Sequence, residues 1–136
     1  MSVRLRERKP SKMEVQTKAY DLAAYTIAAA GNEKVVPKRY RWSIGEKIID
    51  AALEITGHVD IANSMMLTNP DEAKLRHLEQ RCAIANTFKL LTMVNTARRL
   101  SGFDEQRHMF WVGLVKEEQE LLRGWMDSDR KRLKVI

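Results

Sequence analysis

A chain of 136 residues with 31% charged and 44% hydrophobic residues and a formal charge of +6 is the size of one domain that buries its own core. The single cysteine, Cys82, excludes a disulfide framework within one chain and fits a reducing, cytoplasmic setting. No apolar run approaches the length of a membrane span, and the basic N-terminus lacks the apolar segment of a secretory signal, so no membrane is expected as a partner.

In chain order, residues 1–11 read as a flexible basic arm carrying Arg4, Arg6 and Arg8. The first helix is expected over about 12–31. It opens at "SKME", where Ser11 can accept an orphan N–H and Glu14 can reach back to the N–H of Ser11. Met13, Tyr20, Ala23, Ala24, Ile27 and Ala30 give it an apolar stripe. "SIGE" has the same form, with Ser43 as the cap of a second helix over about 44–67. Its stripe is Ile44, Ile48, Ala52, Ile55, Val59, Ala62 and Met66.

"NPDE" repeats the form a third time, with Asn69 as the cap and Pro70 at the first helical position, where a missing N–H costs nothing. The third helix runs over 70–101 with a stripe of Leu75, Leu78, Cys82, Ala85, Phe88 and Leu91. At about 45 Å it is long enough to overhang its neighbours or kink. Gly102 suits the left-handed residue that closes it, and Asp104 opens a fourth helix over about 104–127. Phe110, Leu114, Leu121 and Trp125 line that helix, with Val112 and Val115 widening the stripe. Trp111 and Trp125 read as packing residues, and Gly113 and Gly124 as places where another helix could approach. Residues 129–136 read as a basic tail.

No alternating strand pattern occurs. Four helices with two very short connections predict an all-α, up-down-up-down four-helix bundle over residues 12–128.

Catalytic chemistry finds little footing. There is no Gly-rich phosphate loop, nucleophile elbow or HExxH. The one ExxH spacing, Glu105 to His108, has no second copy and falls in the first turn of a helix. No catalytic residue, metal or cofactor is expected.

The charge is segregated. Residues 1–12, 34–47 and 130–136 together carry +12, which leaves −6 for everything else. Such clusters suit an anionic partner. In "VPKRYRWSIGE" the cations are interleaved with Tyr40 and Trp42. Arginine and lysine can meet phosphates there while an aromatic ring stacks on an unpaired base. The candidate nucleic-acid contacts are Lys38, Arg39, Tyr40, Arg41 and Lys47 in this loop, Arg4, Arg6 and Arg8 in the arm, and Arg130, Lys131 and Arg132 in the tail. Trp42 precedes Ser43 and is expected to fold over the bundle end, with Arg39 and Arg41 pointing outward and Tyr40 open to either role.

The stretch "VPKRYRWSIGEKIIDAALEI" resembles a family in which a Pro-Lys-x-x-Arg-aromatic-x-[Leu/Ile]-Gly loop opens the second helix of a four-helix bundle. The matching residues are Pro37, Lys38, Arg41, Trp42, Ile44 and Gly45. The family includes proteins encoded by intervening sequences in bacterial large-subunit ribosomal RNA genes. It also includes the accessory variability determinant, Avd, of diversity-generating retroelements. The closing "LLRGWMDSDRKR" is similar to the Avd branch, and the likeness spans about residues 15–130.

What this resemblance implies is a non-enzymatic accessory protein. It would assemble as a homo-oligomer, a pentamer, and bind RNA, with DNA as a second nucleic acid. It would associate with a reverse transcriptase and its template RNA to support mutagenic cDNA synthesis. The alternative is a protein-binding scaffold, or a ribosomal intervening-sequence protein without a reverse-transcriptase partner.

Overall fold

The computed structural model describes residues 12–135. Helix α1 spans Lys12–Ala30, α2 Glu46–Ser64, α3 Pro70–Ser101 and α4 Glu105–Val135. No strand occurs among the described residues. Ser11, the expected first cap, and the arm with Arg4, Arg6 and Arg8 lie outside them.

Cross-helix contacts fix the topology. Gln16 Nε2 donates to Asp60 Oδ1 at 3.1 Å, and Thr56 Oγ1 donates to the Ala19 carbonyl at 3.3 Å, so α1 and α2 run antiparallel. Arg76 meets Asp129, and Asn95 meets His108, so α3 and α4 do too. Trp111 reaches Thr26 while Lys18 reaches Glu117, which pairs α4 antiparallel with α1. Each helix packs on the next and α4 closes the ring against α1. The product is the expected all-α four-helix bundle.

The core pairs small residues with large ones. α1 contributes Ala19, Ala23, Ala29 and Ala30 around Leu22, and α2 contributes Ala51, Ala52 and Ala62 between Ile48, Ile55 and Val59. The room left by these alanines is filled by Trp111, Val115, Leu122 and Trp125 of α4. Trp111 is buried with its Nε1–H donating to Thr26 Oγ1 at 3.0 Å, so the polar edge of its ring is satisfied. Tyr25 and Phe103 pack around the same indole.

Several expected boundaries shift. α3 ends as predicted, with Gly102 at φ 67° closing it and its N–H donating to the Arg98 carbonyl. α3 also starts as predicted. The Asn69 side chain accepts from the N–H groups of Asp71 and Glu72 at 3.0 and 3.2 Å. Glu72, however, accepts from the N–H of Met66 and not from that of Asn69. Asp104 caps α4 by accepting from Arg107 N–H at 2.9 Å. α4 then continues to Val135, so the basic tail expected from residue 129 is helix to that point.

Ser43 is not a cap. Pro37 opens a 3₁₀ turn over Lys38–Tyr40, which passes into a single π turn over Arg41–Gly45 and then into α2. The chain is already wound when it reaches Ser43, whose hydroxyl only contacts the Tyr40 carbonyl at 3.5 Å. At its far end α2 stops at Ser64, where Met65 turns extended and Met66 faces solvent.

α3 departs most from its expected stripe. Leu75, Leu78, Ala85 and Phe88 are exposed, and Cys82 and Leu91 are half-buried. The face turned inward is Ala73, Arg76, Gln80, Ala83, Thr87, Leu90, Val94 and Ala97. That set keeps the helical period but mixes polar with apolar side chains. Tyr20, Ala24 and Ile27 of α1 and Phe110 of α4 are likewise exposed rather than core. Gly113 faces open space, and no helix approaches it within the chain.

Glu118 sits in the interior, fully buried, with no hydrogen-bond partner for either carboxyl oxygen among the described residues. Burial, followed by the like charge of Glu117, pushes its pKa up to about 9. At neutral pH the group is therefore a neutral acid.

Two measurements test these assignments. Asn69→Ala should lower stability to urea by about 1 kcal/mol, the usual loss of a cap, whereas Ser43→Ala should change it by less than about 0.5 kcal/mol, as at an ordinary surface position. Equal losses would return Ser43 to a capping role.

Glu118 predicts a pH dependence. Its folded pKa lies above the ordinary value of 4.5, so the native state holds a proton that the unfolded chain releases. The stability this proton provides is fully present below pH 4.5 and is lost as pH rises toward 9. Within that window the slope is about 1.4 kcal/mol per pH unit, a few degrees of Tm. Glu118→Gln should flatten the melting profile between about pH 5.5 and 8.5, followed by circular dichroism. An unchanged slope would show that another group sets it.

Candidate nucleic-acid interface

The α1–α2 connection forms one end of the bundle. After α1, the Asn32 carbonyl accepts from the N–H groups of Val35 and Val36, and both valine side chains are buried. This anchors the segment. Pro37 then starts the 3₁₀ turn, its carbonyl accepting from Tyr40 N–H at 2.8 Å. Gly45 is buried where an added Cβ would lie 3.4 Å from Val36 Cγ1, so the π turn closes tightly onto the anchor.

The winding sorts the side chains. Tyr40 and Ile44 are half-buried and pack against the core. Lys38, Arg39, Arg41, Trp42 and Lys47 are exposed. The expectation for Trp42 is overturned, and the role left open for Tyr40 is packing. Trp42 does not fold over the bundle end but stands 73% exposed, and Tyr40 supplies the packing.

The electrostatics leave this surface cationic. Lys38 faces Glu33 at 3.3 Å, but both are exposed and such a pair holds little energy. The Arg39 guanidinium lies 5.0 Å over the Tyr40 ring. Arg41 and Lys47 have no ionic or ring partner among the described residues. Residues 33–47 carry five cations against Glu33 and Glu46.

The other predicted basic residues lie elsewhere. Arg130, Lys131 and Arg132 are exposed on the last turns of α4, at the end of the bundle where α1 begins. The nineteen-residue α1 separates that end from the α1–α2 connection by about 28 Å. The structure therefore brings Lys38, Arg39, Tyr40, Arg41 and Lys47 together and holds Arg130, Lys131 and Arg132 apart from them. The last three also diverge. Arg130 pairs with Asp127 and borders a groove against α3, while Arg132 borders a depression beside Trp125 and Met65.

The histidines are committed to other contacts or exposed. His58 sits between Glu54 and Glu79, His108 between Asn95 and Arg98, and His77 is exposed. Among the described residues no three His, Cys, Asp or Glu side chains converge as a metal centre requires. Among the described residues no helix is long and apolar enough to cross a membrane.

An internal cluster toward the end of the bundle where α1 begins went unread in the sequence. Arg76 donates from Nε and Nη2 to the two Asp129 oxygens at 2.7 and 2.9 Å, and from Nη1 to the Met65 carbonyl. Gln80 Nε2 donates to the same carboxylate at 2.8 Å, and the guanidinium lies 5.0 Å over the Trp125 ring. Both ions are buried. The available signal was the spacing of Arg76 and Gln80 one turn apart on α3.

The chain matches no family model, no curated protein and no solved structure.

Asp129→Ala should destabilise the fold by about 3–5 kcal/mol, because it strands the buried Arg76 charge. The double replacement Arg76→Met with Asp129→Leu should recover most of the loss. Urea unfolding of both variants checks this, and a double variant as unstable as the single one would deny the pairing its role.

Proposed function

We propose that this protein is a non-enzymatic nucleic-acid-binding accessory subunit that holds RNA on the arginine–tryptophan surface of the α1–α2 connection. In line with the resemblance to the Avd family, the RNA is a retroelement template. The protein partner is the element's reverse transcriptase, the product is mutagenic cDNA, and the working form is a homo-oligomer, a pentamer in that family.

The observation that carries the reading is Trp42. A tryptophan 73% exposed, set among Arg39, Arg41 and Lys47, leaves a large apolar ring in water with no structural return. A base stacked on it would remove that surface from water, and the neighbouring cations would meet the flanking phosphates. Charge and stacking without a hydrogen-bonding code imply binding with little base specificity.

The test uses single-stranded and structured RNA of unrelated sequence. Trp42→Ala should weaken binding by about 1–3 kcal/mol, the worth of one stacked base, with no loss of melting temperature. Arg39→Glu with Arg41→Glu should lower affinity across sequences and flatten the slope of log affinity against log salt, because fewer counterions are released. A parallel set lacking residues 1–10 removes the masking effect of the arm. Affinity and salt slope unchanged in the arm-less variants would leave the connection a solvated bundle end.

A further inference from the structure

A groove of about 970 Å³ runs between α3 and α4 on the half of the bundle away from Trp42. Leu67, Ala73, Ile84, Met126 and Leu133 make its floor aliphatic. Its α3 wall runs from Pro70 to Ile84, about 21 Å of helix, room for some four turns of another helix. Lys74, Arg123, Arg130 and Lys134 line it with four cations. Of the two acids present, Asp129 is buried against Arg76 and Asp127 is paired with Arg130. Gln80 also lines the groove. Its Nε2 goes to Asp129, and its Oε1 has no partner among the described residues.

We propose that this groove docks an amphipathic helix of a partner protein, aliphatic on one face and flanked by acidic side chains. The floor matches the alternating anchors of a helix laid in an apolar channel. The rim matches carboxylates on either side of those anchors. The unpartnered Gln80 acceptor calls for one donor side chain among them.

Other occupants fit less well. Among the described residues the lining holds no Phe, Tyr or Trp, the platforms that stack bases most strongly, and an aliphatic floor disfavours nucleic acid. Residues 1–11 carry Arg4, Arg6, Arg8 and Lys9 against Glu7, the same sign as the rim. A second copy is the strongest competitor, since α2 exposes Leu53 and Ile61 beside Asp50 and Glu54.

The experiment uses the full chain and two fluorescent synthetic helical peptides. One has leucines at alternating three- and four-residue spacing flanked by glutamates, and the other has lysine in place of every glutamate. Anisotropy at physiological salt should show the acidic peptide binding at least tenfold tighter. In methyl NMR the Met126 signal should shift as it binds. Lys74→Glu with Arg123→Glu, both exposed positions, should reverse the preference between peptides without lowering the melting temperature. Trp42→Ala should leave peptide binding unchanged, so failure of the RNA reading and failure of this one are separable. Absence of binding, equal binding of both peptides, or binding without a Met126 shift overturns the proposal. So does a rim variant whose only effect, by light scattering, is to break up self-assembly, which would give the groove to a second copy.

Discussion

The half of the molecule opposite the α1–α2 connection is organised by one guanidinium held out of water. Arg76 is the only arginine buried among the described residues, and its contacts join α3 to α4 and to the α2–α3 connection. Asp129 brings α4, Met65 brings the α2–α3 connection, and Trp125 supplies the ring beneath it. A buried ion pair of this kind adds little net stability against an apolar replacement, but it strongly penalises alternatives. Sliding α4 by one turn along α3 would strand both ions in the interior. The pair therefore fixes the register of the two longest helices. It also requires α4 to be wound at least to Asp129, two residues past the boundary that apolar periodicity suggests.

That constraint shapes what stays outside. α3 turns Arg76, Gln80 and Thr87 inward, so the apolar side chains at the intervening positions, Leu75, Leu78 and Phe88, face water. Polar groups inside and apolar groups outside are two views of one rotation of the helix. Glu118 extends the same pattern on α4, a titratable group inside a helix whose outer face keeps Met109 and Phe110 in water.

How much of this the sequence carried depended on locality. Asn69 with Pro70, Asp104 and Gly102 act within a few residues of themselves, and each was legible as a cap or a stop. The period of α2 was legible because its longest apolar track, through Ile48, Ala52, Ile55, Val59 and Ala62, is the buried one. α3 carries two tracks, and hydrophobicity alone chose the outer one, since nothing local says that Arg76 has a carboxylate 53 residues away. Ser43 failed for a related reason. Its spacing to Glu46 is right, but the buried Val35 and Val36 had already set the chain turning. The loop cations were legible as a cluster. That Tyr40 and not Trp42 would pack was not, because a 3₁₀ turn followed by a π turn breaks the simple alternation.

That π turn has a further consequence. Five residues occupy a turn where an α-helix places about four, so it behaves as a one-residue insertion frozen in the chain. Side chains before it are out of phase by roughly 100° with the stripe that Ile48, Ala52 and Ile55 continue. The stretch from Pro37 to Arg41 is thereby uncoupled from the periodicity of α2. Its outward residues can change in identity and charge without re-aiming anything in the core, which makes this end of the bundle the part of the molecule most free to be retuned.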